Sequence, residues 1–303
     1  MAISRSQLVK ELEPGLNALF GLEYKRYENQ HAEIYTNENS DRAFEEEVML
    51  SGFANAQVKG EGAGVSFDQA QETFTARYTH ETVALAFAIT EEAIEDNLYD
   101  RLASRYTKAL ARSMSNAKQV KAVEPLIQGL PSTDNFDSGD GVSLFNTSHP
   151  TVAGTFKNTL STQADLNETS LEQSMIDIAQ MTDERGLRIA ARGVKMIIPS
   201  ELQFTAERLM KSQGRTGTAD NDINAIVSMG MIPQGYRINN YLTDTDAFYI
   251  LTDIPNGMKM FTRAPLTTAM EGDFDTGNVR YKARERYSFG VSDPRGIFGV
   301  EGA

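Results

Sequence analysis

Apolar and cationic residues alternate near the end of the chain. Val279, Tyr281, Ala283, Tyr287 and Phe289 hold one parity, and Arg280, Lys282, Arg284 and Arg286 hold the other. Successive side chains of a strand point to opposite faces, so this pattern predicts a strand with one apolar and one basic face. The same period recurs where Phe74, Ala76 and Tyr78 alternate with Thr73, Thr75 and Arg77. Before that stretch, a weak apolar segment around Phe53 and Val58 leads into Lys59-Gly60-Glu61-Gly62-Ala63-Gly64, whose glycines free the backbone to turn. Residues 49–80 therefore read as a long hairpin with two strands of about ten residues each, whose tip stands roughly 30 to 35 Å from the body. Val83, Leu85, Phe87 and Ile89 then alternate with Ala84, Ala86 and Ala88. Both faces are apolar, which predicts a buried strand.

Helical period takes over at Thr90, an N-cap followed by Glu91 and Glu92 where the helix dipole favours negative charge. Ile94, Leu98, Leu102, Tyr106, Ala109 and Ser113 form one stripe, Arg101, Arg105, Lys108 and Arg112 lie beside it, and Pro125 closes the pattern. A helix over 90–120 would span roughly 45 Å. A second helix has Thr169 and Glu172 at capping-box spacing, buries Leu171, Met175, Ile178 and Met181, and stops at Gly186. A buried strand over 194–198 follows. Pro199 then opens a third helix through Leu202, Ala206, Leu209 and Met210 to Gly214, and a short helix falls within 221–230. Pro255-Asn256-Gly257 reads as the turn of a hairpin between strands over 248–254 and 258–263.

The first forty or so residues read as an arm. A short helix over 4–12 should stop at Pro14-Gly15, and the aliphatic-poor stretch 24–47 should be extended and lie on its own subunit or a neighbour. Residues 130–166, rich in Gly, Ser, Thr, Asn and Asp, form an irregular excursion. No internal repeat is visible.

Composition narrows the function. The 303 residues contain no Cys, which excludes disulfides and thiolate metal sites and points to a cytoplasmic setting. With 29 basic and 42 acidic residues the formal charge is −13, which disfavours a dedicated DNA-binding role. Neither a signal peptide nor a run of roughly 20 apolar residues is present, so no membrane partner is expected.

Candidate chemistry is sparse. His31, His80 and His149 have no metal-ligand spacing. There is no Gly-x-Ser-x-Gly elbow, and the glycine run lacks the Lys-Ser or Lys-Thr of a phosphate-binding loop. Asp134, Asp137 and Asp140 recur in steps of three, which does not fit a calcium-hand loop, and read as a solvated acidic turn. No catalytic, cofactor or metal site is assigned.

The order of elements is arm, long hairpin, buried strand, long helix, mixed middle and final strand. Together with Leu144-Phe145-Asn146-Thr147-Ser148-His149-Pro150, Ile197-Ile198-Pro199-Ser200-Glu201-Leu202, Tyr241-Leu242-Thr243-Asp244-Thr245-Asp246-Ala247-Phe248 and Arg284-Glu285-Arg286-Tyr287-Ser288-Phe289-Gly290, it resembles the Hong Kong 97-type major capsid proteins of tailed bacteriophages.

The resemblance implies an α+β fold with an N-terminal arm at 1–48, an extended loop at 49–82 and a peripheral domain with a spine helix at 83–140. An axial domain at 141–264 and returning peripheral strands at 265–303 complete it. It implies a virion subunit, assembled in the host cytoplasm, that joins copies of itself as pentamers and hexamers around DNA it does not read by sequence. Scaffold, portal and decoration proteins are further expected partners. An acidic lining would keep packed DNA from sticking to the wall.

Lys59 and Glu61 at the loop tip and Arg280, Lys282, Arg284 and Arg286 on the last strand are the candidate assembly residues. The basic strand should pair with acidic surface such as Glu45, Glu46 and Glu47, of the same or an adjacent subunit, in preference to DNA. Some members of this family crosslink a loop Lys to a distant Asn, assisted by a Glu. Lys59 is placed for that role, but no motif pins the Asn or the Glu. The alternatives are an encapsulin-like compartment for cargo protein and a cytoplasmic enzyme with an unrecognised site. A subunit with projecting arm and loop should be larger and flatter than a compact chain of this length, whose radius of gyration is roughly 19 Å.

Overall fold

The basic-and-apolar strand lies inside a four-stranded sheet. In the computed structural model, which describes residues 5–90, 92–93, 99–133, 135–215, 222–273 and 277–303, the first sheet runs β1 (Thr36–Asn39), β10 (Met258–Gly272), β11 (Val279–Val291) and β4 (Glu81–Ile89). Tyr281, Ala283 and Tyr287 of β11 are buried and the alternate cations face outward. Two helices cover the apolar side, α1 (Arg5–Arg26) and α2 (Tyr99–Gln128), which meet the sheet through Leu16, Phe20, Leu110, Ala111 and Met114.

A second sheet has the order β12 (Ile297–Val300), β9 (Phe248–Thr252), β7 (Gly193–Ile198) and β8 (Tyr236–Ile238). Helices α3 (Glu168–Ala179), α4 (Gln203–Lys211) and α5 (Ala225–Met229) close over it. Leu171, Ile178, Met196, Ile198, Phe248, Ile250 and Phe298 form its core, each such side chain contributing roughly 1.5–3 kcal/mol. The remaining strands pair as β2 (Phe44–Leu50) with β3 (Glu72–Thr79), and β5 (His149–Thr151) with β6 (Gly154–Phe156).

Several expectations are corrected. Both helices run through their prolines: α1 passes Pro14 and α2 passes Pro125. A proline removes one helical hydrogen bond, but Leu16 and Phe20 beyond Pro14, and Leu126 beyond Pro125, are buried and hold the next turns in place. The buried stripe of α2 is Ala103, Thr107, Leu110, Ala111 and Met114, while Tyr106, Ala109 and Ser113 face out. Helix α3 is capped by Asn167 with Ser170, two residues earlier than the Thr169–Glu172 pair.

Strand β4 is an edge strand and not a buried one: Leu85 is 46% exposed and Ala84, Ala86 and Ala88 lie on the open face. The expected hairpin pairs only at its base, since strand bonding ends at Leu50 and Glu72, and it begins at Phe44 instead of 49. The expectations at Ser4, Glu91, Ile94, Leu98, Asp134 and Asn221 lie outside the described residues, as do the side chains of Leu12, Arg101 and Leu102.

The segment around Pro255-Asn256-Gly257 turns as expected, with Asn256 at φ 61, but it does not make a hairpin. Strand β9 pairs with β7 and β12, whereas β10 pairs with β11 and β1, so the turn carries the chain from one sheet to the other. A Cβ at Gly257 would sit 2.8 Å from the Gly296 Cα, so the two crossings touch backbone to backbone. The first sheet accordingly claims the chain from Met258, before the expected boundary at 264, and the 265–303 segment returns to the second sheet as β12.

The arm is laid on its own subunit. Ile34 and Tyr35 enter the core, and the Tyr35 hydroxyl donates to the Ala122 carbonyl at 2.7 Å. His31 meets Gln119 twice, its N–H donating to Oε1 and its ring Nδ1 accepting from Nε2, each at 3.0 Å. Burial, helped by Lys118, lowers the His31 pKa to about 4. The unfolded chain then binds a proton that the folded chain refuses, so stability should fall by about 3 kcal/mol as pH drops from 6.5 towards 4. Denaturant titrations of the wild type and of His31→Gln across this range check it; parallel curves would remove His31 as the cause.

The molecule exposes 17011 Å². A compact protein of 33.5 kDa exposes about 12,700 Å². The surplus of about a third agrees with a subunit less compact than a globule of its mass.

Candidate functional site

The longest unbroken run of exposed residues is the loop. Every residue from 52 to 72 is exposed, and four of them are large and apolar: Phe53 (61%), Val58 (99%), Val65 (68%) and Phe67 (97%). Such side chains cost free energy in water unless something covers them.

The base of the loop, by contrast, is fixed. Ser51 and Gln71 exchange bonds, N–H to carbonyl at 2.9 Å and N–H to hydroxyl at 3.0 Å. Asp68 accepts from the Ala54 amide at 2.7 Å and the Gln69 amide at 2.9 Å, which hold its carboxyl below the usual range. Arg185, which precedes the second sheet, donates to the Gln69 carbonyl at 2.5 Å. Lower down, Tyr78 of β3 packs over β11 where Gly290 leaves room: a Cβ there would lie 2.6 Å from the ring. The Tyr78 hydroxyl lies 2.5 Å from Ser292 Oγ.

His80 locks the corner between β3 and β4. Ser40 gives its proton to Glu45, so His80 Nε2 donates to Ser40 Oγ (2.9 Å) and Nδ1 accepts from Ser288 (3.0 Å). Burial, together with Arg286 and Arg263 and against Glu45, lowers its pKa.

Lys59 and Glu61 sit at the free end of the loop, exposed, and no ion pair joins them to any described residue. Arg280 pairs with Asp273. Lys282 and Arg284 are exposed and, like the half-buried Arg286, make no ion pair among the described residues. The acidic run expected to meet them is engaged elsewhere: Glu45 with Ser40, Glu46 with Arg77, and Glu47 with Lys259. Within one subunit, then, the basic face and the acidic run are not brought together.

Sequence reasoning missed two buried ion pairs. Glu285 occupies the apolar parity of β11, 2% exposed and 3.2 Å from Lys118 of α2. Burial raises its pKa, with Lys118 opposing. Arg295 is 3% exposed and reaches Glu184 at 2.5 Å, Asp293 at 3.2 Å and the Thr182 carbonyl at 2.8 Å, with its guanidinium 4.2 Å from the Phe156 ring centre. An unbroken alternation was the available signal for Glu285, because residue 285 falls on the buried parity.

The buried Asp140–His149 contact, 2.6 Å, looks like two members of a hydrolytic triad. It is structural. The other ring nitrogen meets Asn158 Oδ1 at 3.0 Å, and that oxygen is fixed because Asn158 Nδ2 donates to the Leu144 and Pro294 carbonyls. Both His149 nitrogens therefore face acceptors, and neither is free to take a proton from a nucleophile. Burial opposes ionisation of Asp140, but His149, Ser138 and the Val142 amide outweigh it and hold the carboxyl below its ordinary range. Asp137, exposed, accepts from the amides of Gly139 and Gly141. Among the described residues, no three His, Asp or Glu side chains are placed to hold a metal ion, and no helix is long and apolar enough to cross a membrane.

The model of a family described as phage capsid protein matches residues 72–300. The chain belongs to this family. The capsid protein has the Hong Kong 97-type fold, and solved structures agree with it over most of their length. The capsid of an empty GTA particle shares 14% identity at a TM-score of 0.57, covering 90% of this chain and 89% of the other. The capsid of Myoviridae phage XM1 shares 12% at 0.54, covering 89% of each. The virus-like particle from Pyrococcus furiosus shares 11% at 0.53, covering 94% and 98%. No curated protein sequence matches. This capsid protein is a structural component of a virion shell, and it is not an enzyme.

Proposed function

We propose that the capsid protein closes its shell as pentamers and hexamers held together by two surfaces, the loop at 51–71 and the basic face of β11. The loop reading rests on one observation: Val58 and Phe67 are almost wholly exposed on a segment whose base is tightly anchored. A clamped base with an apolar, uncovered end suits a device that reaches onto a neighbour. The first sheet with α1 and α2 would be the peripheral domain, and the second sheet with its helices the axial domain. The open edge of β4 adds a row of unpaired backbone groups next to these surfaces.

Among the described residues Lys282 and Arg284 have no acidic partner, which supports a partner on an acidic stretch of an adjacent subunit in the shell. Lys59 at the tip is a solvated charge in this reading. Assembly would take place in the host cytoplasm, with scaffold, portal and decoration proteins as additional partners. A cargo-protein compartment is the second reading, because the virus-like particle subunit from Pyrococcus furiosus is covered over 98% of its length. The phage capsid family match favours a DNA shell.

The double variant Lys282→Glu with Arg284→Glu should leave a soluble subunit with unchanged circular dichroism and should reduce closed particles at least tenfold in electron micrographs. Two reversed charges turn attraction into repulsion. Normal shells from this variant would end the role given to the basic face.

A further inference from the structure

Residues 101–123 of α2 include six cations and no carboxylate, in a chain where acids outnumber bases 42 to 29. Lys118 and Lys121 are committed to Glu285 and to Glu81. Arg105, Lys108 and Arg112 are exposed, fall at steps of three and four, and so form a stripe of roughly 10 Å along one side of the helix. Where α1 ends beside α2, Lys108 and Arg112 face Arg26 across an open hollow that also presents Tyr27, Ser113 and Asn116. One carboxylate is present: Glu23, largely buried, lies 3.6 Å from Arg26 and 3.7 Å from Lys108 and neutralises one charge of three. Arg105 and Arg112 have no ion pair among the described residues.

We propose that this hollow is a sequence-independent site for the phosphate backbone of double-stranded DNA, which places the α1–α2 layer on the lumenal side of the shell. The proposal rests on the capsid reading. Phosphate contacts need only cations and neutral donors, which is what the hollow offers through its arginines, lysine, hydroxyls and amide. A protein interface is built around an apolar centre, and Ala109 is the one aliphatic side chain that lines the hollow. The even-numbered face of β11 points to the other side of the same two-layer wall, because Tyr281 and Ala283 face the helices. The wall therefore carries two basic faces with different tasks, one towards a neighbouring subunit and one towards DNA.

The test uses the full-length unassembled subunit and a random-sequence duplex of about 30 base pairs, with binding followed by fluorescence anisotropy from 50 to 200 mM salt. The triple variant Arg105→Gln, Lys108→Gln and Arg112→Gln should bind at least about tenfold more weakly at 50 mM, and the slope of log affinity against log salt should shrink by about three. The pair Lys282→Gln and Arg284→Gln should bind like the wild type. Several results would overturn the proposal: no wild-type binding, an unchanged triple variant, an equal loss in the β11 pair, or tighter binding of polyglutamate than of the duplex. Electron microscopy of the wild type separates this test from the capsid reading, which fails if no closed particles form whatever the DNA result.

Discussion

Replacing residues 58–65 with a two-residue Asn-Gly turn should give a subunit that folds normally and cannot close a shell. The deletion removes Val58 and Val65, which are exposed, and none of the bonds that anchor the loop base through Ser51, Ala54, Asp68, Gln71 and Arg185. No core residue is lost. Surface changes of this kind usually alter stability by no more than about 0.5 kcal/mol, so thermal unfolding and circular dichroism should match the wild type. Assembly should not. The remaining stub loses about 10 Å of reach on each side, at 3.3 Å per residue, along with half of the large apolar side chains that need a cover. Analytical ultracentrifugation and electron microscopy should show subunits and small oligomers in place of particles. Shells of normal size and stability would make the loop a plain surface hairpin.

Arg295→Ala should be the most damaging single substitution for folding. Arg295 joins the turn before β12 to the segment after α3, and its removal leaves Glu184 and Asp293 without their cation in a place water hardly reaches. Breaking a buried pair by deleting one partner costs about 3–5 kcal/mol. For a chain of this size that lowers the melting temperature by roughly 5 to 8 °C. Arg295→Lys should recover less than half, since one ammonium cannot span Thr182, Asp293 and Glu184 as the guanidinium does. Differential scanning calorimetry of the three proteins is decisive, and a loss below 1 kcal/mol for Arg295→Ala would show that the pair contributes little. Glu184 also neighbours Arg185, which holds the loop base, so the same variant should loosen the loop.

What could be read in advance followed the strength of each local pattern. Strand β11 was legible because alternation along a half-buried strand is imposed by geometry, and its faces fall as read. The turn at Asn256 was legible too, but turn chemistry is local, and nothing in Pro255-Asn256-Gly257 tells a following strand which sheet to join. The face of α2 was misread because its buried stripe is built partly from Ala103, Thr107 and Ala111, which are small enough for close packing and too weakly apolar to stand out beside Tyr106. Pro14 and Pro125 were given more weight than the buried residues that follow them. Strand β4 reads as buried because Val83, Leu85 and Phe87 alternate with alanines, yet a single subunit leaves its edge open. The candidate residues Lys282 and Arg284 were recognised from charge alone. That Glu45, Glu46 and Glu47 do not meet them depends on where these carboxylates end up, which only the folded chain decides.

The pairing of β1 with β10 sets a clock on production. Thr36 meets Lys259 and Asn39 meets Thr262, so a segment made near the start of synthesis waits for one made near the end. At 5–20 residues per second, that interval is roughly 10 to 45 s. Neither sheet is complete earlier, since the first also needs β11 and the second needs β12 at residues 297–300. Long-range pairings of this sort form late in folding. A chain terminated before Val291 therefore lacks the finished wall, and one terminated before Val300 lacks an edge strand of the second sheet. Strand order thus ties completion of both sheets to translation as far as Val300.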